Sequence, residues 1–262
     1  MNFQDKLNGV NPHFFIIGLF ATVILVFTAF WSILPIQDAS SYFNFADKRC
    51  ILGINNFSDV ASNLAFTIVG LLGFYWIKNN VSLTYEFKLL GNFLATAMLL
   101  VSMGSAFFHY IPTVERLFWD RVPMVLGFIS LIGLLVVDRV NKKLGLRTFY
   151  ILFILSVITL ALWRLNYLDL RPYLLIQFGA LLFVVLIILL KSRGTISNSA
   201  IWISFGFYIL AKIFEIADTF MWNLTGFISG HTMKHLAAAL AMLVLLKTFR
   251  RRAFADSDYH SP

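Results

Sequence analysis

Cysteine is almost absent. Cys50 stands alone in 262 residues, which rules out an internal disulfide and any metal cluster built on thiolates. Charge is scarce too: 13% of residues are Asp, Glu, Lys or Arg, and the balance runs positive, 21 basic against 13 acidic for a formal net charge of +8. A soluble domain of this length needs far more polar surface. No repeat, no soluble second domain and no low-complexity stretch interrupts the chain before a polar tail at 253–262. What is abundant is apolar: 59% hydrophobic residues, 28 of them Phe, and a mean hydropathy of +0.80.

The apolar residues come in runs of about the ~20 residues needed to cross ~30 Å of hydrocarbon, and the charges collect between them. Eight spans follow, near 13–34, 57–77, 87–109, 118–137, 148–163, 172–190, 198–219 and 229–248. The expected fold class is therefore all-α, a polytopic transmembrane helical bundle forming one membrane domain over 1–262. The shortest span is 148–163, and 57–77 opens on polar Ser58, Asp59, Ser62 and Asn63. The first run is too long for a signal-peptide core, and Ile33-Leu34-Pro35-Ile36 follows it in place of a small-residue cleavage site.

Lys and Arg test this count independently, because cytoplasmic segments are enriched in them. With the N-terminus inside, the inner segments hold Lys6, Lys78, Lys88, Arg139, Lys142, Lys143, Arg147, Lys191, Arg193, Lys247 and Arg250 to Arg252. The outer ones hold only Lys48, Arg49, Arg116, Arg121, Arg164 and Arg171. Both termini are thus expected in the cytoplasm. The net positive charge then belongs to a surface facing anionic lipid, and a nucleic-acid partner is not needed to explain it.

Within spans, ionisable side chains are costly unless paired, ligated or wet, so the few present carry the information. His109 ends the third span and Asp120 begins the fourth; Lys212, Glu215 and Asp218 lie late in the seventh; His231, Lys234 and His235 open the eighth. Under the derived topology, all except Lys212 come out at the outer level. His231 and His235 are four apart, so on a helix both imidazoles project from one face. Two such rings can reach one metal at ~2.0–2.1 Å, and His109 as third ligand would leave a fourth position for water. Ser105 shares the face of His109. Asp120 adds a carboxylate, as part of the same site or as an ion-pair partner of Arg121 or Arg116. Lys212 and Glu215, three apart, suit an intrahelical salt bridge; alternatively Glu215 and Asp218 accept the outer N–H of a ligating histidine. Ser62 and Asn63 suit hydrogen bonds between helices.

Gly104-Ser105-Ala106-Phe107-Phe108-His109, then Asp120 with Pro123-Met124 behind it, then Ser229-Gly230-His231 and His235, resemble the alkaline ceramidase family of membrane amidases. They also match the wider superfamily that joins those enzymes to the adiponectin and progestin receptors, with its Ser-x3-His, Asp and final His-x3-His. The resemblance covers about residues 36–249 and implies a seven-helix ceramidase-like core, with 13–34 as an extra N-terminal helix. It implies that His109, His231 and His235 ligate zinc, and that Asp120 and Ser105 act beside the reacting water. The implied reaction is hydrolysis of the amide of ceramide or a related N-acyl lipid entering from the membrane.

The resemblance stops at the calcium-binding segment of the eukaryotic ceramidases. Its carboxylate positions fall on Tyr42, Phe45 and Asn56 here, which leaves only Asp38, Asp47 and Asp59 nearby and argues against calcium regulation. Tyr42 to Arg49 is similar instead to the stretch found in bacterial members, and is expected to form an interfacial lid. A bacterial inner membrane, with the metal toward the periplasm, follows. The alternative is a non-enzymatic lipid-sensing or structural membrane protein in which zinc only ties helices together. A transporter would need paired broken helices in matching halves, and the sequence has none. Head group, chain length and oligomeric state are not encoded legibly.

Overall fold

The computed structural model describes residues 11–30, 43–165, 169–190 and 194–250. The end of the expected first span beyond Phe30, Asp38, Tyr42, His260 and the tail 253–262 lie outside the described residues, as do Lys6, Lys191, Arg193, Arg251 and Arg252. Ten helices run in order among the described residues: α1 Pro12–Phe30, α2 Phe57–Ala61, α3 Leu64–Asn79, α4 Tyr85–Tyr110, α5 Val114–Arg139, α6 Lys142–Arg164, α7 Arg171–Leu190, α8 Asn198–Ile216, α9 Asp218–Thr225 and α10 Gly230–Lys247. Among the described residues no strand forms beyond an isolated bridge between Ile51 and Ile54.

The chain is a helical bundle. Among the described residues six stretches are long and apolar enough to cross a membrane: α2 with α3 as one span, then α4, α5, α6, α7 and α8. A seventh is added if α9 and α10, which meet at 109°, count as one broken span. Alongside these, the apolar α1 lies antiparallel to α7, Phe20 stacking on Phe183 with ring centroids 5.5 Å apart, but its apolar part Pro12–Leu25 is shorter than a span, so the described residues reach at most seven of the eight expected spans. The span expected at 148–163 is longer than its apolar core, starting at Lys142, because Asn141 caps the helix by accepting the N–H of Leu144 at 3.1 Å.

The seventh span is shorter than expected. α8 stops at Ile216, and Asp218 begins the separate eight-residue α9, which ends at Gly226 in the left-handed region (φ 73°) where a side chain would be strained. Polar caps set the other starts that matter: Thr113 accepts from Arg116 N at 3.2 Å, and Ser229 accepts from Thr232 N at 2.9 Å. α5 is the central helix, packed on α4, α6 and α7, and α10 lies between α8 and α3. Leu90, Leu94, Leu117, Leu134, Leu135 and Phe183 are fully buried at these contacts.

The loops before α4 and α8, the α5–α6 turn and the end of α10 gather at one end of the bundle. Asp138 accepts the N–H groups of Thr195 (2.7 Å) and Ile196 (3.2 Å) while pairing with Arg139 at 2.9 Å, and Asn80 donates to Phe249 O at 2.9 Å. The start of α1 lies at that end as well, since His13 and Arg147 line one hollow. The C-terminal end of α4 and the start of α10 therefore lie at the opposite end, where the histidines are.

Candidate metal centre

Three helix ends meet here. α4 delivers His109 in its last turn and Ser105 one turn earlier; α5 delivers Asp120 from its second turn; α10 delivers His231 and His235 from its first two. All five are buried. Close approach of α4 to α5 depends on a matched pair of residues. Pro123 has no N–H to give Trp119 O, its usual helical acceptor, and that carbonyl faces Gly104, where any Cβ would collide with it. Gly230 plays the same part at the start of α10, since a Cβ there would overlap Phe214 O at the end of α8.

The three imidazoles converge. One ring nitrogen from each of His109, His231 and His235 lies within 4.8 Å of the others, and the ring centroids are 4.5 to 5.0 Å apart. The Nε2 atoms of His109 and His231 face each other at 3.1 Å. Two nitrogens each ~2.0–2.1 Å from one tetrahedral ion stand ~3.3 Å apart, so this is the spacing a shared cation produces. Three neutral imidazoles in an apolar interior would otherwise be a costly grouping. His109 Nδ1, the ring nitrogen away from that contact, is buried without a hydrogen-bond partner among the described residues. The donor set suits a borderline cation such as zinc; the identity of the ion is not fixed by it.

The supporting residues differ from those expected. Neither Glu215 nor Asp218 reaches an imidazole. Glu215 pairs with Lys212, as the three-residue spacing suggests, and with Lys234 at 2.6 Å. Asp218 bridges backbones: its Oδ1 accepts His231 N at 2.7 Å and its Oδ2 accepts Ala46 N at 2.9 Å, so it satisfies a first-turn donor of α10 while tying down the 43–56 loop. The imidazole partner is Ser62, whose hydroxyl lies 2.8 Å from His235 Nδ1 and orients the ring. Asn63 contributes only its backbone carbonyl between helices, accepting the Ser102 hydroxyl at 2.8 Å; its side-chain amide donates back to Asp59 O at 2.8 Å within its own segment. Asp120 is held by Arg121, Nη1 to Oδ2 at 2.7 Å, and both are buried.

Sequence reasoning missed three residues. Asp59 is fully buried and accepts the hydroxyls of Ser229 (2.9 Å) and Thr232 (2.6 Å), which locks α2 to the start of α10. Phe45 lies edge-on against His109 and His231, at 4.5 and 4.7 Å, and closes the cluster on its outer side. Arg49 then fastens that loop: it grips Asp47 through two bonds of 2.8 Å, donates to Ser58 Oγ and Phe227 O, and lies over Trp222. Burial pushes the Asp47 carboxyl up, but the hydrogen bonds from Arg49 and Ser58 outweigh it and hold the pKa below the usual carboxylate range. Asp47 and Asp59, two of the carboxylates near where the calcium segment of the eukaryotic ceramidases would fall, are thus engaged by protein groups.

Below the cluster lies an apolar cavity of about 110 Å³. It is walled by the continuations of the same helix faces: Val101 and Met98 below Ser105, Met124 and Gly127 below Asp120, Ala238 and Met242 below His235. Comparison with known proteins finds no matching family model and no matching curated protein.

Proposed function

We propose that the chain is a zinc-dependent intramembrane amidase that hydrolyses the N-acyl bond of ceramide or a related N-acyl lipid. One arrangement supports this: a buried trio of histidines, with a carboxylate and a hydroxyl on adjoining helices, heads an apolar cavity that continues along the same faces. A structural zinc alone would need the histidines but not the cavity. His109, His231 and His235 would hold the ion, which when bound supplies a water of pKa lowered toward ~7 and polarises a carbonyl. Asp120 takes the proton from the attacking water and returns it to the leaving amine, and the Ser105 hydroxyl donates to the carbonyl oxygen as it gains charge. The acyl chain lies against Val101, Met98 and Met124; Phe45 excludes bulk water from above. The distribution of Lys and Arg favours both termini cytoplasmic and the histidines on the outer side; the likeness of the stretch from Tyr42 to Arg49 to bacterial members favours a bacterial inner membrane, which puts the histidines toward the periplasm.

The Arg121–Asp120 ion pair favours a second reading, a lipid-sensing or structural protein in which Asp120 only anchors α5. Zinc content and fatty-acid release, measured on the purified protein with a panel of N-acyl lipids, separate the two. The amidase gives about one zinc per chain and hydrolysis that chelation abolishes. Asp120→Asn keeps the zinc and loses ~10²–10⁴-fold in turnover. Hydrolysis retained in Asp120→Asn overturns the role of that carboxylate, and stoichiometric zinc without any fatty-acid release overturns the amidase.

A further inference from the structure

The metal centre uses none of the space around α1. That helix leans on α7, where Val23 fits against Gly179, while α6 packs on α5 and barely touches α7. Between them runs a groove of about 610 Å³, floored by Ile129 and Ile132 of α5 and walled by Ile16, Leu152, Leu155 and Ile176. Protein interiors are close-packed, and a space this large among apolar side chains in a bilayer fills with hydrocarbon.

Its mouth is cationic. His13, Leu144 and Arg147 line both the groove and an adjoining hollow of about 300 Å³, which Lys143, Asn11 and Asn141 complete. Among the described residues, neither Lys143 nor Arg147 has a carboxylate within ion-pair distance; Arg139 nearby is taken by Asp138, and Lys142 faces Glu86. Deeper in, the hydroxyl of Ser156 is buried, opens into the groove and has no partner among the described residues, a donor left for an oxygen on the occupant.

We propose that this groove is a binding site for an anionic phospholipid, with the phosphate held by Lys143 and Arg147 and an acyl chain lying between α1, α6 and α7. Cations at the head of an apolar trough match a phosphodiester on a hydrocarbon chain, and a zwitterionic head group satisfies them less well. The site stands independently of the amidase reading, since no residue of the metal centre lines it.

The test uses the full chain purified in detergent. Co-purified lipid is compared with the bulk membrane, and thermal unfolding is followed with phosphatidylglycerol, phosphatidylcholine or inorganic phosphate added. Phosphatidylglycerol is expected to be enriched and to bind roughly tenfold or more tightly than phosphatidylcholine, while phosphate alone has no effect. The double variant Lys143→Gln, Arg147→Gln, at exposed positions, is expected to lose that preference, and Ile151→Trp, which fills the groove, to lower retention of both lipids. Equal retention of the two lipids, a preference unchanged in the double variant, or stabilisation by phosphate alone equal to that by phosphatidylglycerol would each overturn the proposal.

Discussion

The two ends of the bundle are both polar but are built differently. At the histidine end, polar groups are held by partners from other segments: buried Asp59 by the hydroxyls of Ser229 and Thr232, Asp218 by two backbone donors, and buried His235 by the Ser62 hydroxyl. At the other end, Asp138, Arg139 and Asn80 tie loop backbones together, and cations such as Lys143 and Arg147 face outward. Buried polar groups cost several kcal/mol unless satisfied, so a bundle concentrates them only where they do chemistry or close a loop. The first end is specified by what it holds, and the second by how the chain turns.

The sharpest way to break that comparison is His231→Ala. Loss of one of three imidazoles is expected to take zinc below one tenth per chain, measured by metal analysis, while the protein stays folded in detergent. Arg139→Ala at the opposite end should do the reverse: full zinc, but a bundle destabilised by about 3–5 kcal/mol in thermal or denaturant unfolding, because Asp138 is left buried and unpaired. Were both variants to lose zinc equally, the two ends would not be separable.

A smaller effect tests Ser62. Without its hydroxyl the His235 ring loses its orienting partner, and Ser62→Ala should weaken zinc affinity ~10–100-fold in a chelator competition. The smallest is the loop fastening. The pKa of Asp47 is lowered in the fold, so its contribution is complete above the ordinary carboxylate value of ~3.9 and is lost as pH falls through the lowered one. Limited proteolysis should cut within 43–56 once the pH is taken well below the ordinary carboxylate value but not at pH 7, and in Asp47→Asn at both; equal cleavage of the two proteins at pH 7 would show that Arg49 holds the loop without Asp47.

Much of the histidine end was legible before any coordinates. Ionisable residues are so rare within apolar runs that His109, His231 and His235 stood out, and their spacing put them at one depth. Ser62 was legible only as a polar residue opening a span, because its partner His235 lies 173 positions away. Asp59, beside Ser58 and three residues before Ser62, offered the same weak signal: several polar side chains at the start of an otherwise apolar span. Phe45 offered none, being one of 28 phenylalanines. The break between α8 and α9 falls between Glu215 and Asp218, which read as late residues of a single span, and only Gly226 hinted that a short helix would end there.

Composition and periodicity alone determined that the chain is a helical membrane bundle and which residues were too polar to be idle, because hydrocarbon imposes the same penalty on every sequence. Only the tertiary structure decided which of those residues meet. The three imidazoles converge because Gly104 and Gly230 let helices approach to backbone contact, and the loop carrying Phe45 is held there by Asp218 and Arg49. Such choices depend on distances between segments far apart along the chain, which local pattern does not record.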